Sequence, residues 1–158
     1  MESDRDILLA FAEIAAAFAG FAGLAGVIGG RSAESEQSDF ERLRSVVLAS
    51  LVVVVASLLP IVLSRFELSD GVAWRLASGL ALTLNILGMI QVFRGGTYTP
   101  TGYTLEAIMD LALIANLLAL FPAYMAALYL VFLVLLLCQA AVAFLGLLAS
   151  LFGPTREE

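Results

Sequence analysis

The chain has 158 residues, of which 61% are hydrophobic and 14% charged, with a formal net charge of −6. Soluble domains run at about 45–50% apolar and about 25% charged. This composition excludes a disordered chain, which is poor in apolar residues. It also excludes a soluble enzyme, because a fold of this size cannot hide so much apolar surface from water. The lipid bilayer is therefore the expected partner. The acidity argues against nucleic acid and against polybasic attachment to anionic lipid.

Absent residue types narrow the chemistry further. The chain has no His and no Lys, so all eight cationic side chains are Arg. One Cys without His builds no zinc site. The usual His ligation of haem is lost, leaving Met, Tyr or Cys. A Schiff base to retinal or PLP has no Lys to form on. Cys138 stands alone, so no intrachain disulfide forms, and within Leu135-Leu136-Leu137-Cys138 it reads as inert packing. No nucleophile–base pair can be drawn, so the expectation is no enzyme, no catalytic residue, no metal and no cofactor.

A bilayer core of about 30 Å needs about 20 apolar helical residues. The sequence predicts an all-α polytopic transmembrane bundle, a single domain over 1–158, with helices at about 7–28, 39–64, 72–93, 105–121 and 123–152. The apolar runs are continuous rather than alternating, which rules out a transmembrane β-barrel. The leader Met1-Glu2-Ser3-Asp4-Arg5-Asp6 is acidic where a signal peptide is basic, so the first segment is expected to stay as a span. Ser38-Asp39-Phe40-Glu41 has capping-box spacing and predicts the start of the second helix. Asp70-Gly71 marks the turn before the third, with Trp74 expected at the membrane interface. Arg94-Gly95-Gly96-Thr97-Tyr98-Thr99-Pro100 reads as a loop, with Tyr98 and Tyr103 in the headgroup zone. The stretch 104–152 would reach roughly 70 Å as one helix, at about 1.5 Å per residue. Pro122 is its only strong breaker and predicts a tight helical hairpin there. The alternative is four spans plus a half-inserted fourth segment. Gly153-Pro154 stops the last helix.

No soluble domain and no internal repeat is evident. Five spans do not divide into two equal inverted halves, which weakens a secondary-transporter reading. Arg31, Arg42, Arg44, Arg94 and Arg156 fall on one side and Arg5, Arg65 and Arg75 on the other. By the excess of positive charge on the cytoplasmic side, the C-terminus is expected in the cytoplasm and the N-terminus outside.

The first helix is unusually bare. Small residues recur at four-residue spacing through Ala12, Ala16 and Gly20, through Ala19 and Gly23, and through Ala22, Gly26 and Gly30. Such faces let helix backbones approach closely in lipid. Gly20, Gly23 and Gly26 are the expected packing positions, and a helix this bare is expected inside a bundle. The contact is either intramolecular or between copies around a symmetry axis.

Four polar residues are candidates for an intramembrane role. Glu13 lies about 9 Å into the first helix from Ile7, at about 1.5 Å per residue, and an ionisable group at that depth is a functional candidate. Asn85 is expected at comparable depth, giving a Glu13–Asn85 hydrogen bond near Arg65 or Arg75. Asp110 follows Glu106 by one helical turn on one face. It is expected towards the opposite membrane face from Glu13, as an interfacial or capping charge reached by Gln91 and Arg94. Asn116 and Gln139 read as amides bonding across helices. Pro60 is expected to kink the second helix statically.

Ala12-Glu13-Ile14 followed by Gly20-Phe21-Ala22-Gly23-Leu24, with Ala127-Leu128-Tyr129-Leu130 and Gln139-Ala140-Ala141, resembles small uncharacterised bacterial multi-span membrane proteins. The resemblance implies a cell membrane, in bacteria the inner one, and carries no activity. The expected function is a self-associating membrane protein, with an oligomeric cation-conducting pore around the first helix as its sharper form. The alternative is a non-catalytic accessory or scaffold subunit of a larger membrane complex.

Overall fold

A computed structural model describes residues 2–29, 36–66, 68–93 and 100–152. Five helices form a bundle: α1 (Glu2–Gly29), α2 (Glu36–Leu63), α3 (Asp70–Phe93), α4 (Pro100–Leu117) and α5 (Met125–Phe152). Short 3₁₀ turns, Ser64–Phe66 and Pro122–Tyr124, follow α2 and precede α5. Among the described residues four helical stretches are long and apolar enough to cross a membrane: Asp4–Val27, Leu43–Phe66, Asp70–Ile90 and Pro122–Ala149. α4 is not among them.

The centre belongs to α2 and α5. α2 packs on α1, α3 and α5, and α5 touches all four other helices. α1 has α2 and α5 as its main neighbours. The expectation that the small-residue helix lies inside the bundle is therefore corrected: α1 flanks it, with Ile14, Phe21, Leu24 and Val27 exposed on its outer side. The physical reason is that α5 carries bulky apolar side chains on every face and fills the interior with Tyr129, Phe132, Leu133 and Leu136.

Around the bulky residues of α5, many of the buried positions on the other helices are small, and many large apolar side chains point outward. Ala15, Ala22, Ala56, Ala73, Ala77, Ala81 and Ala140 are fully buried, while Leu24, Val27, Leu87, Leu111, Val142 and Leu145 are exposed. In water this arrangement would forfeit the burial that drives folding. In lipid it is the expected one, because helices there associate by close backbone approach. The main core joins Leu8, Ala15, Val53, Ala56, Trp74, Met109 and Tyr129. A smaller one joins Ala22 and Ala25 to Val46 and Leu147, beside a tilted Phe18–Phe144 ring pair at 5.7 Å. Trp74, in the first turns of α3, is buried against Tyr129, their centroids 5.4 Å apart. Cys138 is exposed rather than packed inside.

The hairpin at Pro122 is present, and its geometry explains where α4 ends. Leu120 N–H donates to Ala115 O at 3.0 Å and Ala119 N–H to Asn116 O at 2.9 Å, with Ala119 at φ 53°. This pairing is a Schellman cap, which closes a helix through one left-handed residue. α4 thus stops at Leu117, short of the expected 121. It starts earlier than expected, with Pro100 as its first residue, where a missing N–H and fixed φ suit a helix start. α2 begins at Glu36 rather than 39. The side chains of the capping box and of Tyr103, the Arg94–Thr99 loop with Tyr98, and the Gly153-Pro154 stop lie outside the described residues.

Candidate functional site

The polar residues of the bundle gather between α3, α4 and α5. On α3, Ala73, Ala77, Ala81 and Asn85 follow at four-residue spacing, and all four are buried. Three alanines let α3 sit close to its neighbours and carry Asn85 into the seam. On α4 the buried face is Glu106, Met109, Leu113 and Asn116, while Ile108, Leu111 and Ile114 are exposed. The helix turns Glu106 and Asn116 inward and Ile108, Leu111 and Ile114 outward, with Asp110 half-buried between them.

Asn85 Nδ2 donates to Glu106 Oε2 at 2.9 Å and to Asp110 Oδ1 at 3.0 Å. Gln139 Nε2 donates to Glu106 Oε1 at 3.0 Å. One amide from each neighbouring helix thus reaches a carboxylate of α4. The expected Glu13–Asn85 bond is overturned, because both Asn85 donor contacts go to α4. The expected separation of Asn85 from Asp110 across the membrane falls for the same reason. α3 and α4 run as a hairpin, so the late part of α3 meets the early part of α4. Asp110 lies eleven residues into α4, bonded to Asn85, and does not cap that helix. The Gln91 side chain and Arg94, its expected partners, lie outside the described residues.

Asn116 Nδ2 donates to Met125 O at 2.9 Å and ties the two arms of the hairpin together. Arg75 Nε donates to Leu117 O at 3.0 Å, placing a cation at the carboxyl end of α4, where the helix dipole favours it. Among the described residues, no group of three or more His, Cys, Asp or Glu comes together to hold a metal ion.

Glu13 is remote from this network. It is exposed on α1 and makes no hydrogen bond or ion pair among the described residues. A Cβ added at Gly20 or Gly23 would meet nothing within 4 Å, so these two glycines mark no close approach within the chain. The intramolecular form of the expected packing is corrected to Gly26 alone, where an added Cβ would lie 2.5 Å from Leu43 Cδ2. Glu13, Ala17, Gly20 and Leu24 recur at steps of three and four residues, so they share one side of α1. That side is open.

Reasoning from sequence left Glu106 out of the candidate site and treated Gln139 as general packing. A signal for both was present. Glu106 and Asp110 share a helix face, and the neighbouring spans carry uncharged amides, Asn85 and Gln139 among them, of the kind a buried carboxylate requires.

Comparison with protein-family models, with curated proteins and with solved structures finds no match. The chemical capacity of the chain therefore rests on its own geometry. The interior network holds two acids through neutral donors, and the open side of α1 offers one free acid among small residues.

Proposed function

We propose that this chain is a five-span integral membrane protein that self-associates through the open side of α1, with Glu13 lining a cation path at the resulting axis. The observation that carries the reading is the state of that side: an exposed Glu13, without a partner among the described residues, in line with Gly20, whose position has open space around it. A second α1 laid there gains the close backbone approach that small residues permit. Copies arranged around an axis bring several Glu13 carboxylates into one ring, and acidic rings attract cations. The interior acids are tied to Asn85 and Gln139, which favours a path between copies over one through a single copy.

The inside-out character of α4 supports the five-span reading over four. Its exposed face carries Ile108, Leu111 and Ile114, and Glu106, Asp110 and the Asn116 amide nitrogen are paired within the bundle, as a helix in lipid requires. The proposed site is the cell membrane, with the N-terminus outside and the C-terminus in the cytoplasm.

The test is cation flux in liposomes reconstituted with the parent protein and with Glu13→Gln. The variant is expected to assemble like the parent and to lower the flux or shift its pH dependence. A parent protein that carries no flux under any gradient or voltage, and that runs as a single copy, moves the reading to an accessory subunit of a larger complex.

A further inference from the structure

We infer that α4 enters the membrane conditionally: Asn85 of α3 and Gln139 of α5 supply the donors without which its two acids keep it out. This rests on the five-span reading above. Among the described residues α4 is not one of the stretches both long and apolar enough to cross a membrane, while both helices that flank it in sequence are. α4 carries three strongly polar side chains along its length, Glu106, Asp110 and Asn116. Two of these meet donors from the flanking spans, Asn85 at 2.9 and 3.0 Å and Gln139 at 3.0 Å. The third bonds Met125 O across the hairpin. The face left outside is Ile108, Leu111 and Ile114, which suits lipid. Both acids and the Asn116 amide nitrogen are therefore met by α3 or by the start and middle of α5, while Asn116 Oδ1 is buried without a partner among the described residues. A polar segment of this kind is stable in hydrocarbon only once its groups are satisfied by protein. α3 and α5 are then the frame, and α4 is the segment that joins it.

The consequence is a topological switch. With α4 across the membrane the two termini lie on opposite sides. With α4 left out, α5 must cross in the reverse sense and both termini lie on one side.

The experiment uses the full-length chain in membranes, with compartment reporters at both ends and Cys138→Ala as background. Leu111→Cys, on the lipid side of α4, is probed with a membrane-impermeant maleimide. The parent should report opposite compartments with Cys at 111 shielded. Asn85→Leu with Gln139→Leu should move the C-terminal reporter to the N-terminal compartment in at least half of the molecules and expose position 111 to label. Adding Glu106→Leu and Asp110→Leu to that pair should restore the parental pattern, because the helix then needs no donors. This rescue separates failed entry of α4 from general misfolding. The inference is overturned if the amide double variant keeps both parental readouts, or if removing the acids fails to rescue it. If the parent itself reports one compartment, the five-span reading falls and takes this inference with it.

Discussion

The hydroxyl of Tyr129 donates to the carbonyl oxygen of Ala56 at 2.7 Å, and both residues are fully buried. Ala56 lies four residues before Pro60, so its carbonyl is the one that the missing proline N–H leaves without a helical partner. α5 thus repairs the hydrogen-bond gap that proline opens in α2, and α2 runs on to Leu63. The packing of Trp74 on Tyr129 holds the phenol in place from the α3 side.

Tyr129→Phe should therefore destabilise the bundle by about 1–3 kcal/mol, the range for leaving a buried acceptor unsatisfied. Pro60→Ala in the same chain should recover much of the loss, because the new N–H can close the bond to Ala56. Thermal unfolding in detergent micelles of the two single variants and the double variant checks this. Equal and additive losses would show that the hydroxyl and the proline are not coupled.

The turn after α4 carries a second local test. Ala119 holds φ 53°, a left-handed conformation that costs a residue with a Cβ about 1–2 kcal/mol. Ala119→Gly should stabilise the hairpin by about 0.5–1 kcal/mol, since glycine's greater freedom when unfolded offsets part of the relief. The same unfolding assay reads it, and a loss of stability would contradict the Schellman assignment.

Much of the bundle was legible in the sequence because lipid imposes simple rules. Continuous apolar runs gave the helices, and Pro122 gave the hairpin. The site was less legible, because it depends on which face each helix turns inward. The small-residue pattern of α1 drew attention away from the seam that holds the interior hydrogen-bond network. The shorter pattern Ala73-xxx-Ala77-xxx-Ala81, ending on Asn85, marks the buried stripe of α3 and points at the acids of α4. Both helices carry small residues at four-residue spacing, so spacing alone does not rank them. The difference is made by α5, whose bulk occupies the centre and leaves α1 at the flank.

The glycines of α1 should separate into two groups. Gly26→Leu forces bulk against Leu43 and should lower stability of the single chain by about 1–3 kcal/mol, as overpacking does. Gly26→Ala should do less, because the obstructing atom is the end of a flexible leucine. Gly20→Leu and Gly23→Leu meet open space and should leave the unfolding midpoint of the monomer unchanged. They should instead reduce the oligomer measured by mass in detergent or nanodiscs.

Self-association through α1 is tested most directly by oxidative cross-linking in native membranes, with Cys138→Ala removing the one natural thiol. A disulfide forms only where Cα atoms come within about 4.4–6.8 Å. Gly20→Cys, on the open side of α1, should give a covalent dimer, whereas Leu111→Cys, exposed on α4, should not. A membrane-inserted Gly20→Cys protein that stays monomeric under oxidation, or one that cross-links no more than Leu111→Cys, would contradict an α1 interface between copies.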